Sequence, residues 1–290
     1  VAGYLGINEW GEFDIDGDTT FQAFDKIESG GFDHEGGEPQ YNVGVGAQVI
    51  KYRGMVVPIG NVSTAVQTHG LLAVAKPAAL GSLPPIIEAI QGGVLAVPAA
   101  ARKQEDCYLD SVELTCDAEG VLMCDYSWKA LSEAAVTVLA AAAASQSSIT
   151  PVYFHTASVL IGGVAYKVQS WTAGLANGIT AKTSQDAKTE NYRLPEWFDP
   201  GEFKVNLSVD ARLPLGVDMT AQFLDPITFI FTGTNNETVP ETFTLDLTGG
   251  QGLDLSSEPI PLESGADEVL FRIEAESEPF DLDVWATSLS

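Results

Sequence analysis

The sequence predicts a mainly β, antiparallel fold of the sandwich or barrel type, and three observations carry that expectation. Apolar and polar residues alternate with a period of two in many short segments. Gly, Asn and Asp turn signals separate those segments. Helical signals are confined to two short stretches, one of them a helix expected to flank the sheets.

Composition sets the outer limits. A chain of 290 residues, 45% hydrophobic, buries a substantial core and has room for two domains of ordinary size. Its 40 acidic against 14 basic residues leave a formal charge of -26. Such a surface repels phosphate backbones and lacks the clustered Lys and Arg that tight nucleic-acid binding needs. It suits a protein dispersed in concentrated salt, where screening acts over ~3 Å at about 1 M, so a halophilic source is one reading of the acidity. No stretch has the apolar length of a membrane span, and Val1 to Gly11 has neither a basic nor an apolar leader region. A soluble chain with no membrane partner is expected.

In chain order, residues 1–45 are rich in Gly, Asp and Glu with spaced aromatics, and read as an extended arm with anchors. Gly30-Gly31-Phe32-Asp33-His34-Glu35-Gly36-Gly37 is a loop signal, and the segment from Ser29 to Gly46 is expected to order when a neighbouring chain packs on it. Asp14-Ile15-Asp16-Gly17-Asp18, ending in Asp25, invites a calcium reading, but its glycine comes too early for an EF-hand loop. A solvated turn is the simpler account.

Gln48 to Thr68 reads as short strands interrupted at Gly54 and Gly60. Ser82 to Gly92 starts with proline and ends with glycine, the asymmetry of a short helix whose Ile86, Ile87 and Ile90 would cover a sheet. Asp110 to Trp128 is the strongest local signal, a hairpin about the turn Asp117-Ala118-Glu119-Gly120. Val112, Leu114, Cys116, Leu122, Cys124 and Tyr126 form its dry face, while Glu113, Thr115 and Asp125 point the other way. Lys129 to Ser145 is alanine-rich and favours helix, with a possible boundary near Ser147 between an N-terminal unit, 1–147, and a C-terminal unit, 148–290. One elaborated unit over 1–290 is the alternative.

A related strand-turn-strand unit follows at Val159 to Thr183, punctuated by Gly162-Gly163 and Asn177-Gly178. Alternation is clearest beyond it, at Phe203 to Val209, Val217 to Phe223, Phe243 to Leu247 and Val269 to Ala275. These strands support a sandwich or barrel.

Reactive chemistry is not encoded in any motif. The chain lacks Gly-x-Ser-x-Gly, a phosphate-cradling Gly-x-x-x-x-Gly-Lys and His-Glu-x-x-His, so no enzyme, cofactor or metal site is expected. Cys107, Cys116 and Cys124 are odd in number and read as buried free thiols, although Cys116 and Cys124 could face each other across the hairpin.

Two stretches carry a family resemblance: Leu109 to Val121, and Val152 to Gly163 continuing through Tyr166-Lys167-Val168-Gln169-Ser170-Trp171 to Asn177-Gly178. In these the chain resembles the tail tube proteins of tailed bacteriophages and archaeal viruses with long non-contractile tails. The resemblance implies a virion structural protein, assembled in the host cytoplasm, whose sheets close ring-wise with copies of itself and whose rings stack into the tail shaft. It implies trimeric or hexameric rings, with tape-measure, tail terminator and distal tail proteins as partners and double-stranded DNA passing without tight binding. Six modules of four strands, ~4.8 Å apart and tilted ~40°, make a barrel roughly 48 Å across, wide enough for duplex DNA.

On that resemblance Glu113 and Asp125 are expected in the lumen, and Val112, Leu114, Gly120, Leu122 and Tyr126 in the assembly hairpin. Gly30, Gly31, Phe32, Gly36 and Gly37 are expected in the arm that orders on assembly. Another β-rich virion part, such as a distal tail or decoration protein, or a halophile's surface adhesin or carbohydrate-binding module, are the competing readings.

Overall fold

The computed structural model describes residues 9–17, 21–36, 39–43, 49–94, 97–118, 120–136, 150–153, 158–183, 194–214, 226–235, 240–256, 260–264 and 267–290. Strands in the first half are β1 (Glu9–Asp14), β2 (Gln22–Ala23), β3 (Lys26–Gly36), β4 (Pro39–Val43), β5 (Val49–Arg53), β6 (Val56–Ala65), β7 (Ile87–Val94), β8 (Val97–Asp117) and β9 (Met123–Ala135). The second half contributes β10 (Ser158–Ile161), β11 (Val164–Ala165), β12 (Lys167–Ala176), β13 (Thr180–Lys182), β14 (Trp197–Asp199) and β15 (Lys204–Pro214). It ends with β16 (Phe229–Thr234), β17 (Thr242–Asp246), β18 (Leu253–Leu255), β19 (Ile260–Ser264), β20 (Glu268–Ser277) and β21 (Ala286–Leu289). The protein is mainly β and antiparallel, and among the described residues its sheets form no closed barrel.

The 21-residue β8 organises the larger sheet. One margin pairs with β9 from Arg102 to Thr115. The opposite margin is divided: its first half pairs with β7 and its second half with β12. A fork results. One branch runs β7-β1-β2, the other β12-β15-β20 with β18 and β19 on the outer margin of β20, while β9 leads on to β6 and β3. The strand changes direction where Asp106 takes a positive φ of 53° and the register slips between Leu109 and Ser111, the local kink a bulge introduces.

The hairpin forms where the alternation places it. Gly120 N–H donates to the Asp117 carbonyl at 2.9 Å, closing the turn. Val112 faces Tyr126 and Leu114 faces Cys124 in the register, and all four are buried. Cys116 does not face Cys124: its cross-strand neighbour is Trp171 of β12. All three thiols are free and buried, and burial pushes Cys116 up to about 12 and Cys124 well above the ordinary thiol value. Neither reacts readily as thiolate near neutrality.

A second sheet, ordered β11-β10-β16-β17-β21, completes a sandwich in the second half. Trp171 packs 5.5 Å from Phe229 and 4.7 Å from Phe231, and Phe231 lies 6.4 Å from Phe243, ring centre to ring centre. These contacts follow from alternation on β12, β16 and β17, each of which presents one aromatic or aliphatic face inward. The segment Val217 to Phe223 lies outside the described residues.

Several sequence expectations are corrected. Ile87 to Val94 is strand β7, not helix, and pairs with both β1 and β8. Ile87, Ala89, Ile90 and Gln91 are all buried, so this strand shows the short apolar run that periodicity cannot tell from helix. Lys129 to Ala135 continues β9, because pairing with β8 as far as Arg102 outweighs alanine's helix propensity. Residues 137–149 lie outside the described residues, and with them the rest of the alanine-rich run and the boundary near Ser147. The loop signal at Gly30, Gly31, Phe32 and Gly36 is strand β3, held by β6, while Gly37 lies outside the described residues. Gly162 and Gly163, with φ of 58° and 77°, make the expected tight turn between β10 and β11. Asn177-Gly178 does not close a hairpin. Buried Asn177 instead donates to the Ala75 and Leu109 carbonyls, and β13 pairs with β14.

Gly60 is no interruption either, for β6 runs through it. A Cβ at this position would run into the Trp128 indole ring on β9. Gly60→Ala is expected to cost about 1–3 kcal/mol by overpacking. Urea denaturation measures this, and an unchanged midpoint would show that the indole can move aside.

Candidate functional site

The pairing registers place one polar face across the larger sheet. One cross-strand row runs Ser63, Asp125, Glu113, Gly174, Asn206, Glu276 and Asp254, from β6 to β18. The next runs Thr115, Thr172, Ser208 and Glu274, and beyond it come Asp117, Ser170, Asp210 and Arg272. Short hydroxyl and amide side chains alternate here with acids, while Val112, Leu114, Cys116, Leu175, Val205, Leu207 and Ile273 fill the core on the other side. Period two in seven paired strands is enough to produce such a surface.

Bases on this face are already matched. Arg272 clamps Asp210 with two bonds of 2.8 Å, Lys204 lies 2.8 Å from Glu276, and Lys129 lies 2.9 Å from Asp110 while donating to the Ile179 carbonyl. The Arg272 guanidinium holds the Asp210 carboxyl below its ordinary value of 3.8. Its folded value being depressed, the stability from this clamp is complete above the unfolded value and is lost as pH falls through the depressed one. Glu113, Asp117 and Asp125 have no basic partner at ion-pair distance among the described residues.

Glu113 and Asp125 are exposed and stand directly opposite each other on β8 and β9. Like charges so placed repel. Asp125→Asn is therefore expected to stabilise the subunit by about 0.5 kcal/mol in dilute salt, with the gain fading near ~1 M salt as screening removes the repulsion. Thermal denaturation at the two salt concentrations checks this; a gain that does not change with salt would point to hydrogen bonding instead.

The forked sheet has three ends, the two-residue β2 and two longer edges. Among the described residues β3 pairs with β6 alone, and most of its residues are exposed. At the other limit β19 pairs with β20 alone among the described residues, and its Ile260 and Leu262 are exposed, whereas Leu253 of β18 is also bridged by Ile227. Edges of this kind present unpaired backbone groups, the usual template for adding another strand.

The candidate calcium acids have other duties. Asp14 accepts from the backbone N–H groups of Asp16 and Gly17. Asp25 is not in a solvated turn: it is buried and accepts from Gln67 N–H (2.9 Å), Thr68 N–H (3.1 Å) and the Thr68 hydroxyl (2.8 Å), tying the start of β3 to the end of β6. Among the described residues no three His, Cys, Asp or Glu side chains gather as metal ligands. Sequence reasoning also missed the polar bonds by which Lys129, Asp110 and Asn177 join β8, β9 and the exit of β12. Their partners are remote in sequence and carry no local signal.

No curated protein matches the chain. The family model described as phage tail tube protein matches residues 15–281, a span containing both the hairpin and the polar face. The chain belongs to the phage tail tube protein family, structural proteins of the virion tail.

Proposed function

We propose that this chain builds the tail tube itself: copies close side by side into rings, the rings stack, and the bore conducts double-stranded DNA during genome ejection. The observation that carries this reading is the polar sheet face that runs from the β3 edge to the β19 edge. Between those edges lie eight strand positions, β3, β6, β9, β8, β12, β15, β20 and the β18/β19 margin. Three copies joined edge to edge would give about 24 strands, and ~4.8 Å spacing with ~40° tilt sets a backbone diameter of roughly 48 Å. The reading is therefore a ring of three chains, each a single elaborated unit over 1–290. The pairing of β8 with β12, from opposite sides of position 147, supports the single unit.

In this ring the polar face looks inward and Glu113 and Asp125 line the bore. Tape-measure, terminator and distal tail proteins then meet the tube from within and at its ends. The role is structural, not catalytic. An acidic bore repels DNA weakly instead of holding it, and the same acidity makes assembly easier in concentrated salt, the condition of a halophilic host. β3 is the segment that gains partners on assembly. Hydrogen exchange at residues 29–36 is expected to be fast in the free subunit and slow in the tube, and equal protection in both would remove β3 from the closing edge.

Negative-stain microscopy of the purified protein at moderate and high salt tests the reading. Hollow filaments with an axial repeat of about 40 Å, one module of roughly 10-residue strands with loops, are expected. Monomers at every salt and concentration, together with glycan binding, would favour a surface module.

A further inference from the structure

Phe280 is an unusual residue for its position. It follows the end of β20 in a tight turn, takes a φ of 65°, and leaves its side chain 45% exposed. A bulky side chain at positive φ is strained, and such strain persists where function holds it. Its N–H donates to the Phe203 carbonyl at 2.8 Å, which anchors the turn.

At the far side of the sheet lies a cavity of about 260 Å³ between β3, β7 and β9, walled by Phe24, Ile27, Phe32, Ile90 and Trp128, with Arg102 in its lining. A dry cavity of roughly 150 Å³ is enough for benzene, so a phenyl ring fits this volume. The two features lie at one level of the sheet. From Phe32 the register passes through Gly60 and Trp128 to Leu109. Leu109 is bonded to Asn177, the residue after the Ala176–Lys204 pair, and the residue before Lys204 is Phe203, which holds Phe280.

Size and apolarity match the two features, not charge: Arg102 in the cavity wall already pairs with Glu133 at 2.7 Å, and the neighbouring Lys26 and Lys103 pair with Glu28 and Glu105.

We propose that Phe280 of one copy seats in the β3–β9 cavity of the next copy, an aromatic anchor that locks neighbours within the ring. The proposal rests on the ring reading above and names the contact that holds it. Knob and cavity are on different parts of the surface, so the contact is heterologous and generates rings or filaments rather than isolated pairs. An aromatic ring filling a desolvated pocket beside an arginine has the character of an interface hot spot.

Phe280→Gly separates the anchor from simple packing. Relief of the positive φ is expected to raise the subunit's Tm by about 2 °C, while the concentration needed for assembly rises at least about tenfold. Ile27→Trp, which fills the cavity from within, is expected to weaken assembly likewise in a folded subunit. In tubes of a Lys26→Cys/Glu278→Cys chain, a short bismaleimide should link copies into a ladder on denaturing gels, the native thiols being buried. Tubes that form normally from Phe280→Gly, or that give no linked copies, would overturn this docking and leave the ring reading standing. A wild-type chain that forms neither ring nor tube at any salt would overturn both.

Discussion

Insertion of one residue after Val112 is expected to abolish both folding and assembly. The insertion turns Leu114 and Cys116 outward and brings Glu113, Thr115 and Asp117 into the core between β9 and β12. Two buried carboxylates without partners cost several kcal/mol each, and the loss of the apolar contacts at Leu114 and Cys116 adds to that. The total is comparable with the ~5–15 kcal/mol that holds a typical domain together. Because β8 is paired along both margins, no slip of a single neighbour restores the pattern. An insertion in the Asp117–Gly120 turn serves as control, since it lengthens a surface loop and should cost about 1 kcal/mol or less. Soluble yield and thermal denaturation compare the two. A Val112 insertion that melts near the wild-type temperature would mean that the face of β8 is not set by this alternation.

Reversal of Glu113 and Asp125 to lysine is expected to leave the fold intact and to make the tube hold its DNA. Both side chains are exposed, so the subunit tolerates the change. With three chains to a ring, six lysines would enter each layer of the proposed bore. Six phosphate contacts change binding by about 10³-fold between ~50 and ~200 mM salt, so delivery should fail in dilute salt and recover as salt rises. Particle assembly and DNA release at matched salt are the measurements. Normal release at low salt from fully assembled particles would place these two residues away from the bore.

The sequence made legible whatever depends on neighbours along the chain. The hairpin around Asp117–Gly120, the dry faces of β15, β17 and β20, and the Gly162-Gly163 turn follow from alternation and turn chemistry. Segments whose state is decided by distant partners were misread. Ile87 to Val94 has proline before it and isoleucines close together, and only pairing with β1 and β8 makes it a strand. Gly60 looks like a break until the Trp128 ring above it is known. The polar face was half legible: Glu113 and Asp125 could be put on one side of a hairpin, but the row they share with Asn206 and Glu276 is created by tertiary register. Phe280 carries no signal at all, because its distinction lies in backbone geometry.

The divided margin of β8 also sets an order of events during synthesis. Residues 97–110 can meet β7 and β9 soon after they leave the ribosome, but residues 111–117 must wait for β12, about 50 residues later. At ~5–20 residues per second that interval lasts about 3–10 s. Throughout it Val112, Leu114 and Cys116 stand at an uncovered apolar edge in a cell where many copies are being made at once. Nascent chains are thus most exposed to mutual sticking between the emergence of Asp117 and that of Ala176, and a pause in translation within that window would lower the yield of assembly-competent subunits.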